Sequence, residues 1–80
     1  MAHDLISDAR RLAQALDSDG LTGRSRGIED VIAGGATGSE ILMGLRWHVR
    51  EVLDADRASA ATRRQAELLL QQISRALHPR

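Results

Sequence analysis

Few residues in this chain have the side chains and the spacing that catalysis or metal binding requires. The three histidines, His3, His48 and His78, are far apart in the sequence, and two of them lie near its ends. His48 and Glu51 are three positions apart, a spacing that lets two ligands share one face of a helix. A metal site needs at least three protein ligands, and no second pair of this kind occurs. The histidines therefore predict solvated or helix-capping side chains rather than a metal centre.

Other catalytic patterns are also missing from the sequence. There is no cysteine, which excludes disulfides, zinc–thiolate sites and thiol catalysis. No serine lies in a nucleophile-elbow pattern. Gly34, Gly35 and Gly38 lie between two helical segments, without the preceding strand or the following lysine of a phosphate-binding loop. The sequence thus predicts a protein that is not an enzyme and that holds no cofactor or metal.

Length and composition describe one small globular domain spanning residues 1–80. Of the 80 residues, 42% are hydrophobic and 28% are charged, as in folded rather than disordered chains. The 11 basic and 11 acidic residues cancel, whereas nucleic-acid binders and polybasic membrane-surface proteins usually have a large basic excess. No run of about 18 apolar residues and no signal-peptide pattern occurs. The chain is therefore expected to be cytoplasmic, with no membrane partner.

Paired arginines leave DNA binding as a further alternative. All 11 basic residues are arginines, and six of them form close pairs: Arg10 and Arg11, Arg24 and Arg26, and Arg63 and Arg64. Acidic residues lie close to each pair in the sequence, as is typical of a solvated helix surface. If the second and third helices formed a helix-turn-helix, the recognition helix would begin with GSEIL, which offers few side chains suited to base edges. Nucleic acid is therefore the least favoured partner.

Hydrophobic periodicity predicts four helices and no strands. Apolar residues recur at helical spacing in four segments, and a single aromatic residue with few β-branched ones disfavours a sheet. The predicted helices are Asp4–Asp17, a segment of about ten residues around Ile28 to Ile32, Thr37–Asp54, and a last helix capped by Ser59 and ending at Leu77. Short connections between them predict an all-α fold, a compact four-helix antiparallel bundle whose second helix is short.

Local signals mark where the third and fourth helices begin. The stretch from Thr37 to Glu40 matches a capping box, in which the threonine hydroxyl accepts a hydrogen bond from the amide three residues on. Ser39 is the competing cap, two residues later. Ser59 suits the N-cap position of the fourth helix.

The second helix has weaker boundaries. Gly20 can adopt a left-handed conformation and ends the first helix. Thr22, Gly23 and Ser25 are interpreted as loop or cap residues that precede the second helix, and Gly34 ends it.

Two large apolar residues on the third helix lie away from its hydrophobic stripe. At 100° per residue the stripe centres between Ile41 and Leu42, and Trp47 points almost directly away from it, with Met43 beside it one turn earlier. Gly44 flanks them and would let another backbone approach closely. The simpler interpretation is that helices cover the third helix on two sides, so that Met43 and Trp47 pack under the first or second helix. In the alternative interpretation, both side chains are exposed and anchor a partner.

Two arginines complete a candidate partner-binding site. Arg46 and Arg50 are near neighbours of Met43 and Trp47, and tryptophan, methionine and arginine are enriched where proteins bind each other. These four residues are the candidate site for a protein partner. Alternatively, the same patch meets its own copy across a two-fold axis in a homodimer. Leu68, roughly opposite the stripe of the fourth helix, is a milder exception of the same kind.

Residues 35–47, with the sequence GATGSEILMGLRW, resemble a segment of small helical bacterial proteins. Such proteins resemble the immunity proteins that are encoded beside secreted polymorphic or contact-dependent toxins. The resemblance implies a cytoplasmic protein that binds and blocks a toxin domain and has no catalysis of its own. Immunity proteins against nucleases are commonly acidic, whereas this chain is neutral, so the resemblance does not extend to a nuclease target.

Overall fold

Four helices make up the fold in the computed structural model, which describes residues 4–34, 37–54 and 57–78. They are α1 (Leu5–Ser18), α2 (Thr22–Ala33), α3 (Gly38–Asp54) and α4 (Ala60–Leu77), and the described residues contain no strand. Each helix packs mainly against two others, in a ring that runs α1, α2, α3, α4 and back to α1. The predicted all-α four-helix bundle is confirmed. His3 and Gly35 lie outside the described residues.

A glycine turn ends α1 and determines where α2 begins. Gly20 has φ +79°, the left-handed conformation predicted for it. The N–H of Gly20 donates to the carbonyl of Asp17 at 3.0 Å, and the N–H of Leu21 donates to the carbonyl of Leu16 at 2.8 Å. This is the Schellman pattern of helix termination, in which Leu21 also packs against the core.

The prediction that Thr22, Gly23 and Ser25 precede the second helix is wrong. All three lie in α2, which starts directly after Leu21 and has 12 residues, the fewest of the four described helices. The carbonyl of Leu21 accepts from the N–H of Ser25 at 3.1 Å and so closes the first turn without a side-chain cap. Ser25 is buried because it lies one turn before Ile28 on the face that meets the core.

The predicted caps of α3 and α4 are confirmed. The Thr37 hydroxyl accepts from the Glu40 N–H at 3.4 Å and donates to Glu40 Oε1 at 3.0 Å, so Thr37 rather than Ser39 caps α3. Ser59 Oγ accepts from the N–H of Thr62 at 3.2 Å at the start of α4. Both caps satisfy amide groups that have no partner inside the helix.

The core consists of the stripes that periodicity predicts. The seven largest of the fully buried side chains come from all four helices: Leu12, Leu16, Ile28, Leu45, Val49, Val52 and Ile73. Two polar residues, Ser25 and Thr62, are buried as well, and no buried polar side-chain atom of the described residues lacks a hydrogen-bond partner. Ala58, before α4, is a buried residue that the periodicity does not predict.

Contacts between neighbours show that the helices run antiparallel. Three contacts join α2 to α3: Arg24 with Glu51, Gly27 with His48, and Val31 with Gly44. The residue numbers increase along α2 while those of their partners decrease along α3. The end of α1 meets the start of α4, because Asp19 Oδ2 accepts from the N–H of Ser59 at 2.9 Å. The bundle is therefore antiparallel, and it holds α3 between α2 and α4.

Candidate functional site

The buried face of α3 determines which of its residues point outward. Leu45, Val49 and Val52 have no exposed surface and anchor α3 in the core. Met43 and Trp47 lie on the opposite side of the helix, as the spacing of 3.6 residues per turn requires.

Both residues are exposed in the folded chain. Trp47 keeps 59% and Met43 keeps 53% of their surface in contact with solvent. The interpretation that they pack under the first or second helix is wrong, because α2 and α4 are the described helices that pack mainly beside α3, and neither covers its outer side. The alternative prediction, that both side chains are exposed, is confirmed.

Trp47 lies beside His48 at the edge of α3 that faces α2. The ring of His48 contacts it edge to face, with centroids 4.9 Å apart and planes at 87°. His48 in turn lies over Gly27, where a Cβ atom would come within 2.7 Å of the imidazole. Trp47 and His48 line a shallow depression together with Gly23 and Arg24 of α2. The sequence did not indicate these two α2 residues, because their position beside Trp47 depends on the register between α2 and α3.

Two arginines flank the apolar pair with unused hydrogen-bond donors. Arg46 is half-buried and Arg50 is exposed, and neither forms an ion pair or a side-chain hydrogen bond with any described residue. Arg24 differs from them, because its Nη1 lies 3.3 Å from Glu51 Oε1 across the α2–α3 boundary. A guanidinium without a partner can accept a carboxylate in bidentate geometry. The outer face of α3 thus combines apolar area with free positive charge.

A third large apolar residue, Leu68, is exposed on another part of the surface. It keeps 52% of its surface in solvent and lies over a groove between α1 and α4 with Asp8, Arg11 and Gln72. The prediction that Leu68 lies off the α4 stripe agrees with this position. Among the described residues, no second large apolar side chain is exposed beside it, whereas Trp47 and Met43 are exposed side by side.

Two other kinds of site do not occur in the part of the chain that the structure describes. No group of three histidines or acidic residues is arranged there to hold a metal ion, and Glu51, the possible partner of His48, pairs with Arg24 instead. Across these residues, none of the helices has the length and apolar character needed to cross a bilayer.

Comparisons with known proteins identify no relative of this chain. No protein family, no curated protein and no solved structure matches it. The likeness of residues 35–47 to immunity proteins stays a prediction. The functional argument therefore depends on the outer face of α3, formed by Met43, Arg46, Trp47 and Arg50.

Proposed function

We propose that this chain is a small cytoplasmic protein-binding module that blocks its partner by covering part of the partner's surface, without catalysis of its own. The observation that carries the proposal is the exposure of Trp47 and Met43 side by side on α3. Burying a tryptophan or methionine side chain yields about 1.5–3 kcal/mol relative to leaving it exposed. Because both side chains are already about half buried, a partner that covers the rest of them gains about 1.5–3 kcal/mol in total from this pair.

The charges beside the apolar pair indicate the chemistry of the partner. Arg46 and Arg50 have no partner among the described residues, so both guanidinium groups are available to carboxylates. Charged contacts at the rim select the partner and steer its approach, while the apolar centre supplies most of the affinity. The proposed partner surface is an apolar pocket bordered by aspartate or glutamate.

The resemblance to immunity proteins supports a more specific form of the proposal, in which the partner is a bacterial toxin domain. Residues 38–47 of the resembling segment form the first part of α3, which carries Met43 and Trp47. An inhibitor of this kind needs no catalytic group, because a bundle with extents of 34 × 24 × 23 Å can cover an active site by its bulk. The zero net charge of the chain does not favour a nuclease target.

The test begins by identifying the partner through the proposed surface. A photo-crosslinking amino acid at Met43, introduced in the cells that make this protein, would capture whatever lies on the outer face of α3. The captured protein is then purified, and its dissociation constant is measured by calorimetry against the wild-type chain and single variants. We expect Trp47→Ala to weaken binding by about 30-fold or more, the effect of a hot-spot residue, and Arg46→Ala and Arg50→Ala to weaken it less.

Leu68→Ala is the matched control, because Leu68 is as exposed as Met43 but lies between α1 and α4. We expect it to leave the dissociation constant within about twofold of wild type. Substitutions at exposed positions should change folding stability by less than about 0.5 kcal/mol, which thermal unfolding verifies for each variant. Equal affinities for Trp47→Ala and Leu68→Ala would show that binding does not use this face, and the proposal would be rejected.

A further inference from the structure

Four exposed residues on α3 form a pattern that complements itself. Glu40, Met43, Trp47 and Arg50 are all exposed and follow one another at intervals of three, four and three residues. At 3.6 residues per turn, they fall within about 80° of one face of the helix. Along that face the order is acidic, apolar, apolar and basic.

The pattern is symmetric about the height of Leu45. With a rise of 1.5 Å per residue, Glu40 and Arg50 lie about 7.5 Å on either side of that height, and Met43 and Trp47 lie about 3 Å on either side. If a second α3 is turned end for end about this point, its Arg50 lies opposite Glu40 and its Trp47 lies opposite Met43. Because a two-fold axis repeats each contact, the pair contains two acid–base contacts and two apolar contacts.

We infer that the occupant of this face, in the isolated protein, is a second copy of the same chain, joined through an antiparallel pair of α3 helices. The inference rests on the proposed function in one respect, since both use the outer face of α3 as a binding surface. Charge selects the orientation: a parallel pair would place Glu40 opposite Glu40 and Arg50 opposite Arg50, whereas the antiparallel pair places opposite charges together.

Both charged residues are free to make these contacts. Arg50 has no ion pair with any described residue. Glu40 uses Oε1 to accept from the Thr37 hydroxyl, at 3.0 Å, which leaves Oε2 for an arginine from outside the chain. A net charge of zero does not oppose association of two copies.

The dimer is expected to be transient. One helix face supplies a contact in the range of small, reversible interfaces, below about 1,200 Å². Dilution would therefore release the face, and a tighter partner would displace the second copy. The dimer keeps Met43 and Trp47 covered until that partner is present.

Arg46 separates this inference from the proposed function. Arg46 is one residue from Leu45, the centre of the pattern, and lies on the flank of the exposed face. In the antiparallel pair the two copies of Arg46 would therefore lie on the same side of the dimer, about 3 Å apart along the helix axis. Two positive charges at that position oppose association of the copies. We expect Arg46→Ala to leave the dimer unchanged or to strengthen it, whereas the same variant should weaken binding to a partner with carboxylates.

The decisive experiment reverses the two charges, first separately and then together. Sedimentation equilibrium from about 1 µM to about 1 mM measures self-association of wild type, Glu40→Arg and Arg50→Glu. Each variant places like charges opposite each other at both ends of the pair, so we expect the dissociation constant to rise at least about tenfold. Mixing the two variants restores opposite charges at both ends, and we expect a one-to-one heterodimer whose dissociation constant is within about threefold of wild type.

Two controls keep the result interpretable. The Glu40→Arg variant loses the hydrogen bond to Thr37, so circular dichroism is used to check the helix content of each variant. Glu40→Gln removes the charge while keeping an oxygen acceptor.

Protection of Trp47 fluorescence from iodide should rise with protein concentration in wild type and in the mixture, but not in either variant alone. A wild-type monomer up to about 1 mM would overturn the inference. A dimer that is unaffected by both reversals would also overturn it, because it would use another face. Neither outcome changes the test of the proposed function, which measures a different protein bound to the chain.

Discussion

Replacement of Gly44 by alanine tests how closely α2 and α3 are packed. A Cβ atom at Gly44 would lie 3.0 and 3.2 Å from the two γ-carbons of Val31 on α2, closer than ordinary van der Waals contact. Alanine in place of glycine inside a helix normally stabilises by about 1 kcal/mol, but overpacking costs about 1–3 kcal/mol. Because a valine side chain in a helix has one strongly preferred rotamer, Val31 cannot easily turn aside. We expect Gly44→Ala to lower the free energy of unfolding by up to about 2 kcal/mol.

The sign of this effect should depend on Val31. In a Val31→Ala background both γ-carbons are absent, so Gly44→Ala should raise the free energy of unfolding by about 1 kcal/mol, the normal gain of alanine over glycine. The coupling between the two substitutions is then about 1–3 kcal/mol. Urea unfolding of the four proteins, followed by circular dichroism, measures the cycle. Gly23→Ala is the matched control, because a Cβ atom at Gly23 has nothing within 4 Å and should not destabilise the chain.

An equal effect of Gly44→Ala in both backgrounds would refute this reasoning. It would mean that Val31 does not lie against Gly44, and therefore that the register between α2 and α3 differs from the one described. The same register places His48 over Gly27, beside Trp47, so the description of the candidate site would be wrong as well.

Two further predictions concern the junction between α1 and α4. Ser59→Ala removes the acceptor for the N–H of Thr62 and should lower the free energy of unfolding by about 1 kcal/mol. This corresponds to a fall of about 4–8 °C in the midpoint of thermal unfolding, and an unchanged midpoint would contradict the role of this cap. A hydrogen bond from the N–H of Ser59, and to a smaller extent one from the Thr62 hydroxyl, holds the pKa of Asp19 below its ordinary value. Ionised Asp19 therefore stabilises the fold above its unfolded pKa of about 3.9. This contribution is lost as the pH falls through the lower pKa of the folded state. Asp19→Asn keeps an oxygen acceptor but cannot ionise, so its urea midpoint should fall less steeply than that of wild type between about pH 5 and pH 2; identical slopes would contradict the contact.

The start of each helix could be predicted only where its cause is local. Thr37 and Glu40 are three residues apart, as are Ser59 and Thr62, so both caps are visible in the sequence and in the structure. The start of α2 could not be predicted in the same way, because it has no side-chain cap. Its first turn follows from the turn at Gly20, and the burial of Ser25 follows from packing against other helices, which local propensity does not describe.

The candidate site shows the same division between local and distant causes. Periodicity alone determines that Met43 and Trp47 point away from the stripe of α3, since that direction depends only on the residues of one helix. Whether another element covers them depends on how many neighbours α3 has, and a bundle with α3 at its centre would bury both. The ring gives α3 only two close neighbours, and Val31 of α2, rather than a partner, occupies the space beside Gly44. The glycine therefore lets α2 lie close to α3. Gly23 and Arg24 of α2 then border the depression at Trp47, whose outer side stays exposed.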